Sequence, residues 1–465
     1  MNKLREVKKR MERLFRLKEN GTNVRTEIMA GLVTFMTMAY ILAVNPGILS
    51  GAGMNWTGVF LATAIAAGVM SILMGLLVNF PVALAPGMGL NAYFATVVLS
   101  SQGEFTPSMA LTAVFISGII FIVLTVTKVR QMLLVAVPDN LKFAITVGIG
   151  LFITIIGMKN SGLMTVNVEA IRDIGAGQFT PLLGFESVIT LGSLSDATVL
   201  LTLIGLVLIG VLMVLRVKGA ILFGIVGTTV IAALMGEVNF SALTSSETTW
   251  VPDFRQLHFW DFDFAGVLTT GIITVIATFT FVELFDTFGT LVGTADRAGI
   301  LEKPDGQKKV GKAMLVDAVG VSGGAMLGTS TVTAYVESSA GIAEGGRTGL
   351  TAVTTGVLFL AALFIAPIIA LVPGSATSAA LIIVGLLMMQ AVKKIDFEDY
   401  VVAIPAFLTI IAMPFTYNIA NGISFGIVTY VILATVGNLT GKSKHKVHWL
   451  MWILFVLVIA RYIFI

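Results

Sequence analysis

The chain contains no cysteine, which excludes a disulfide framework and thiol chemistry. Histidine is nearly absent as well. The three present, His258, His445 and His448, fall in loops or the tail without metal-ligand spacing, so no metal site is expected. Charge is scarce, at 12% of residues against roughly 25% in soluble domains, and this excludes a soluble globular fold. The formal charge of +3 says nothing about nucleic acid, because the basic residues sit in loops between apolar runs. Pro86-Gly-Met-Gly-Leu lacks the Lys-Ser/Thr of a phosphate loop, and the glycines of residues 343–348 read as a cytoplasmic turn. No catalytic constellation and no cofactor motif are present, so the chain is not expected to be an enzyme. Residues 1–25 are basic and amphipathic, without an apolar core followed by a cleavage site. They read as a cytoplasmic surface helix rather than a signal peptide.

What the chain has in abundance is apolar sequence: 56% hydrophobic residues and a mean hydropathy of +0.96. Repeated runs of 18 or more apolar residues predict membrane-spanning helices, not barrel strands that alternate over about 10 residues. Forty-eight glycines suit closely packed membrane helices. Gly320, Gly324 and Gly328 recur every fourth residue, which is either a contact stripe or the ordinary glycine content of such helices. Prolines and glycines interrupt Phe80-Pro-Val-Ala-Leu-Ala-Pro-Gly-Met-Gly-Leu-Asn91, which predicts an extended piece leading into a half-helix near Asn91. With a counterpart around Glu337, the chain makes about fourteen crossings. An N-terminus in the cytoplasm places Lys128/Arg130, Arg216/Lys218, Arg297 to Lys312, Arg347, Lys393/Lys394 and Lys442 to Lys446 all inside. The last run, 447–464, is one too many for that parity and is expected along the cytoplasmic face or as a re-entrant segment.

The crossings divide into two sevens, with residues 84–94 and 330–340 in matching places. An odd number of helices per repeat gives the halves opposite topology, and broken segments in corresponding positions point to a transporter's binding site. The interval from Asn91 to Glu337 also carries Thr37 onto Glu283 and Tyr40 onto Asp286.

Chemistry concentrates in Phe281-Val-Glu-Leu-Phe-Asp-Thr-Phe-Gly-Thr290 and in Gly328-Thr-Ser-Thr-Val-Thr-Ala-Tyr-Val-Glu337. Glu283 and Asp286 share a helical face, where a carboxylate costs about 2.5–3.5 kcal/mol to insert and so faces a cavity or partner. Glu283 reads as a proton-exchanging group or an interhelical hydrogen-bond acceptor, and Asp286 as a relay or a structural partner of Tyr40 or threonine. Glu337 is either a helix cap or an acceptor for ligand N–H groups; Asn91 is a cap or a donor–acceptor pair for the same solute. A planar solute with alternating donors and acceptors fits that mixture. Phe281, Phe285 and Phe35 can stack on a flat ring or face lipid. Asp317, at the start of the next run, reads as a boundary acid.

At these residues the chain resembles the nucleobase–cation symporter-2 superfamily, in its AzgA-like adenine/guanine/hypoxanthine permease branch. The further marks are Gly21-Thr-Asn-Val-Arg-Thr-Glu-Ile-Met-Ala-Gly31 and Met36-Thr-Met-Ala-Tyr-Ile-Leu-Ala-Val-Asn-Pro46. The resemblance implies an all-α polytopic protein of the uracil/xanthine permease type, with a seven-plus-seven inverted repeat and short antiparallel strands in segments 3 and 10. It implies a core domain from residues 26–130 and 264–371, a gate domain from 131–237 and 372–440, and a cytoplasmic-side apolar tail at 441–465. It places substrate contacts on Glu283, Glu337, Asn91, Tyr335, Val336 and Phe281, and proton coupling on Glu283 and Asp286. The uracil-type relatives carry a histidine one turn after the segment-8 acid; this chain has none there, so coupling runs through carboxylates. The implied activity is proton-coupled import of purine nucleobases, hypoxanthine and guanine ahead of adenine, across the inner (plasma) membrane. The implied partners are the purine, protons, the lipid bilayer and a second copy through the gate domain, with no nucleic acid and no cofactor beyond the proton. Rival readings are a sulfate or bicarbonate transporter of the same architecture, against which the two glutamates argue, and a non-transporting channel or receptor.

Overall fold

The computed structural model describes residues 11–101, 103–127, 132, 136–166, 189–238, 240–243, 250–266, 272–441 and 445–464. Among these, nine helices are long and apolar enough to cross a membrane, and five shorter apolar helices accompany them. The chain is a multi-pass membrane protein.

The first half contains α1 (Val24–Met38) and α2 (Ile41–Gly51), one span broken at Ala39 and Tyr40, then α3 (Trp56–Leu73) and strand β1 (Leu84–Pro86). Half-helix α4 (Met88–Ser100) follows, with α5 (Pro107–Val126), α6 (Asp139–Asn160), α7 (Ala197–Val214) and α8 (Ala220–Leu234). Between α6 and α7, strand β2 (Met164–Val166) pairs antiparallel with β3 (Ile189–Leu191), which hydropathy did not announce. The second half repeats the order. It has α9 (Ile272–Arg297), α10 (Gly306–Leu327), β4 (Val332–Ala334) and the short half-helix α11 (Ser338–Ala343). Then come α12 (Gly349–Ala361, continuing irregularly to Ile369), α13 (Gly374–Met389), α14 (Tyr400–Phe415) and α15 (Ile419–Leu439). Helix α16 (Trp449–Phe464) lies beyond the two sevens.

Helix starts follow the polar residues that precede each apolar run. Asn23, Asn55, Thr106, Asp196 and Asn418 each accept a hydrogen bond from a backbone N–H of the first turn, satisfying a donor that has no partner within the helix. The spans then pack as two groups. Helices α1–α5 pack chiefly with α9–α12, and α6–α8 chiefly with α13–α15.

At the centre of the first group β1 pairs antiparallel with β4, Leu84 opposite Ala334, Ala85 opposite Thr333 and Pro86 opposite Val332. Extended backbone at membrane depth survives only where protein satisfies its polar groups. On the outer edge of β1 the Ser71 hydroxyl accepts from Leu84 N–H at 2.9 Å and lies 3.1 Å from Leu84 C=O. On the outer edge of β4 the Asp317 carboxylate accepts from Ala334 N–H at 2.9 Å. The glycine stripe serves the same strand: a Cβ on Gly320 would stand 2.9 Å from Val332 O, and one on Gly324 2.6 Å from Ser330 O. The stripe is therefore a contact surface, but for strand backbone rather than for another helix. Gly328 ends α10 with φ +91°, where a side chain would be strained.

Two sequence expectations change. Helix α10 begins at Gly306, a turn and a half before the apolar run, because its first turn carries Gln307, Lys308 and Lys309. Asp317 is thus mid-helix and fully buried rather than a boundary acid. The final run neither lies across the cytoplasmic face nor turns back on itself. It runs antiparallel along α15, with Asn438 donating to His445 C=O at 2.6 Å at one end. At the other end Tyr462 OH donates to Asn421 at 2.9 Å. An apolar helix of 16 residues finds in α15, of 21 residues, a partner long enough to cover it, which a loop-surface position would not supply.

Candidate functional site

Both broken segments leave the same two-stranded sheet. Helix α4 starts after Gly87 and α11 after Glu337, so the two caps correspond and Asn91 lies one turn further along its helix than Glu337 does. The interval that equated Asn91 with Glu337 is therefore one turn short. The connection from β4 to α11, residues 335–337, is two residues longer than Gly87 alone and accounts for half of that offset.

Glu337 stands at the cap position of α11, yet its side chain makes no cap hydrogen bond. Its Oε1 instead accepts from Tyr40 OH at 2.7 Å, and Tyr40 is the residue at the break between α1 and α2. Sequence register had set Tyr40 against Asp286, so this pairing is new. Residues 332–335 and Ser338 are buried, whereas Val336 is 57% exposed and Glu337, Ser339 and Ala340 partly so. Tyr335 is buried, and its hydroxyl donates to Pro86 C=O, bracing one broken segment against the other.

Asn91 is completely buried, and among the described residues neither its amide N nor its amide O has a hydrogen-bond partner. Leaving such a group unsatisfied costs about 1–3 kcal/mol, and nothing in the helix interior requires an amide there. Its helix packs against α2, α6 and α9.

Glu283 is also completely buried. Its Oε1 accepts from Thr287 Oγ1 at 3.0 Å, Thr287 and Thr333 hydroxyls are 2.9 Å apart, and Thr333 Oγ1 donates to Asp317 Oδ1 at 3.2 Å. Polar contacts thus run from the carboxyl of α9 through β4 to that of α10; two hydroxyls supply two protons for three contacts, so all three are hydrogen bonds only when one of the two acids is protonated. Asp317 is the member that sequence reading missed. The available signal was its spacing to Gly320 and Gly324, which puts all three on one face once the helix is known to begin at Gly306.

The remaining candidates divide. The backbone of Asp286 belongs to α9, but its side chain, like that of Phe285, lies outside the described residues. Phe281 is two residues from Glu283, about 200° around the helix, and faces α15 and α16 instead of the sheet. Phe35 meets Phe359 edge to face at 5.1 Å inside the bundle. The structure therefore gathers Asn91, Tyr335, Val336 and Glu337 around the strand pair and links Glu283 to it through threonines; Phe281 is on another face.

Two motif residues turn out to be structural. Glu27 is buried and accepts from the backbone N–H groups of Arg347, Thr348 and Thr351 and from the Thr351 hydroxyl at 2.6 Å, capping α12 from α1. Asn45 donates to Thr63 and Thr329 at 2.7 and 2.8 Å, fixing the approach to β4.

Comparison with known proteins gives a consistent result. The guanine/hypoxanthine permease PbuO of Bacillus subtilis is 43% identical over 423 residues, covering 90% of this chain and 94% of that protein. The adenine permease AdeP of Escherichia coli is 39% identical over 423 residues, covering 91% and 90%. Among solved structures, the transmembrane domain of the cyanobacterial bicarbonate transporter BicA matches with a TM-score of 0.59 at 16% identity. It covers 88% of this chain and 95% of that one, a likeness of fold alone. The family model described as "Permease family" (Xan_ur_permease) matches residues 25–425, and the chain belongs to that family.

Proposed function

We propose that this permease carries purine nucleobases inward together with protons, hypoxanthine and guanine ahead of adenine. The observation that carries the reading is Asn91, a buried amide without a protein partner, beside a segment whose glutamate is held by Tyr40 and left partly open. A carboxylate acceptor suits the ring N–H of a 6-oxopurine, and an amide can donate to its C6 oxygen while accepting elsewhere. The names of the relatives, guanine/hypoxanthine and adenine permeases, support the same substrate class. In this reading Glu337, Asn91 and the backbone near Val336 hold the base, and Tyr335 keeps the two broken segments in register. Glu283 takes up the proton with Asp286 as its relay. Phe281 retains a role only in positioning α9.

The helix group built around the strand pair acts as the moving core, and the group containing α6 and α13–α15 acts as the gate. Between them the site is exposed to each side in turn. Basic loop residues support a cytoplasmic N-terminus, and the bacterial relatives support a plasma-membrane location. Pairing of two copies through the gate rests on the family resemblance. Anion transport on the same architecture is the second reading, favoured by the fold shared with BicA; carboxylates at Glu283 and Glu337 repel such a substrate.

The test is uptake of one labelled purine into whole cells at two pH values against a panel of unlabelled nucleobases, sulfate and bicarbonate. Competition by hypoxanthine and guanine, with faster uptake at the more acidic external pH, supports the reading. Competition by the anions alone, or uptake that ignores pH, refutes it.

A further inference from the structure

Helix α9 presents a second face. Turned about 200° from Glu283, Thr278 and Phe281 line a cavity of about 410 Å³ whose other walls include Ser424 and Ile427 of α15 and Leu457 of α16. Of the lining residues only Arg461 is charged. Its guanidinium donates to Ser424 Oγ and Asn421 Oδ1 at 3.3 and 3.4 Å, long contacts that leave most of its donors uncommitted. Thr278 donates its hydroxyl to Thr274 C=O at 2.9 Å, so it asks nothing of a ligand.

The volume falls among organic-ligand pockets, which run roughly 300–1,000 Å³. Its apolar walls do not hold water, because a bound water needs several polar partners. The polar groups lie at the Arg461 end alone, so a purine would set most of its polar edge against apolar wall, and a small anion would leave the space empty. The rim includes Ile273 and Leu457, 73% and 61% exposed, so the space opens toward the acyl region of the bilayer. Arg461 stands abreast of the first two turns of α15, near a span end, where phosphate groups of lipids lie.

We propose that this cavity is a lipid site: it takes an acyl chain of an anionic phospholipid, whose phosphate is held by Arg461. The lipid would bridge α9, which carries Glu283, and α15, which belongs to the other helix group. Its occupancy would therefore bear on movement between the groups. The proposal is independent of which substrate is carried.

The test uses the full chain, purified in neutral detergent and offered equal amounts of phosphatidylglycerol and phosphatidylcholine, with retained lipid read by native mass spectrometry. The wild type should retain phosphatidylglycerol preferentially. Arg461→Gln should reduce that preference about fivefold, while Arg461→Lys keeps most of it. Val458→Trp, which fills the cavity and leaves Arg461 in place, should lose the retained lipid. Equal retention of both lipids by the wild type, a preference that survives Arg461→Gln, or unchanged binding in Val458→Trp would each overturn the proposal.

Discussion

In the first half the chain leaves β1 through Gly87 into a helix of 13 residues, and the amide of Asn91 meets no protein partner. In the second half it leaves β4 through Glu337 into a helix of 6 residues, and that glutamate is tied to Tyr40. The two segments share a sheet and a topology, yet one offers an uncommitted donor–acceptor pair and the other a fixed acceptor. A site with one oriented carboxyl and one adaptable amide can select a ring that carries both N–H and C=O groups. The asymmetry also shows how an inverted repeat can diverge in chemistry while the scaffold stays matched. Edge groups of the sheet are satisfied on both sides, by Ser71 and by Asp317, so the site groups need not serve the fold.

That division of labour can be broken most severely at Glu337. Glu337→Ala should weaken hypoxanthine binding by about 1.5–3 kcal/mol, or about 10- to 150-fold, because a charge-assisted acceptor is lost. Tyr40→Phe should cost about 1 kcal/mol, about fivefold, since the carboxylate remains but loses its brace. Equilibrium binding of labelled hypoxanthine to purified protein reads both.

Glu283→Gln separates proton from purine. The amide still accepts from Thr287 but carries no titrating proton, so uptake should lose its dependence on external pH while purine binding at equilibrium stays within about fivefold. Whole-cell uptake across a pH series, alongside binding, reads the two halves of that outcome.

Asp317 sharpens the contrast from the scaffold side. Asp317→Ala strips the acceptor from Ala334 N–H and Thr333 and should lower stability by about 1–3 kcal/mol, with Asp317→Asn less severe. Thermal unfolding of the solubilised protein measures it.

The smallest effect is expected at the α15–α16 turn. A hydrogen bond from His445 holds the Asp399 carboxyl below its usual range, and the Val401 N–H adds to this. A depressed carboxylate contributes above its unfolded value, and that contribution is lost as pH falls through the folded one. Limited proteolysis of the turn should therefore accelerate in acid, and Asp399→Asn should abolish the change.

Much of the scaffold was legible in the sequence because membrane helices announce themselves by length and hydropathy. The interruptions at Pro81, Pro86 and Gly87, and at 328–331, likewise expose the broken segments. Glu337 and Glu283 were legible because carboxylates stand out against apolar surroundings. The Tyr40–Glu337 bond was not, since it joins residues almost 300 positions apart through a helix break that composition does not reveal. Asp317 was hidden by the polar first turn of α10, which hydropathy assigns to a loop. Helix α16 misled for the opposite reason: parity arguments count crossings, and an extra apolar helix paired with α15 does not fit a two-sevens count.

Whether Asn91 belongs to the ligand or to the fold is decided by Asn91→Ala. Purified variant and wild type should melt alike or with the variant slightly more stable, while labelled hypoxanthine binds the variant about tenfold more weakly. Unchanged affinity with a lowered melting temperature would contradict the ligand role and return Asn91 to the scaffold.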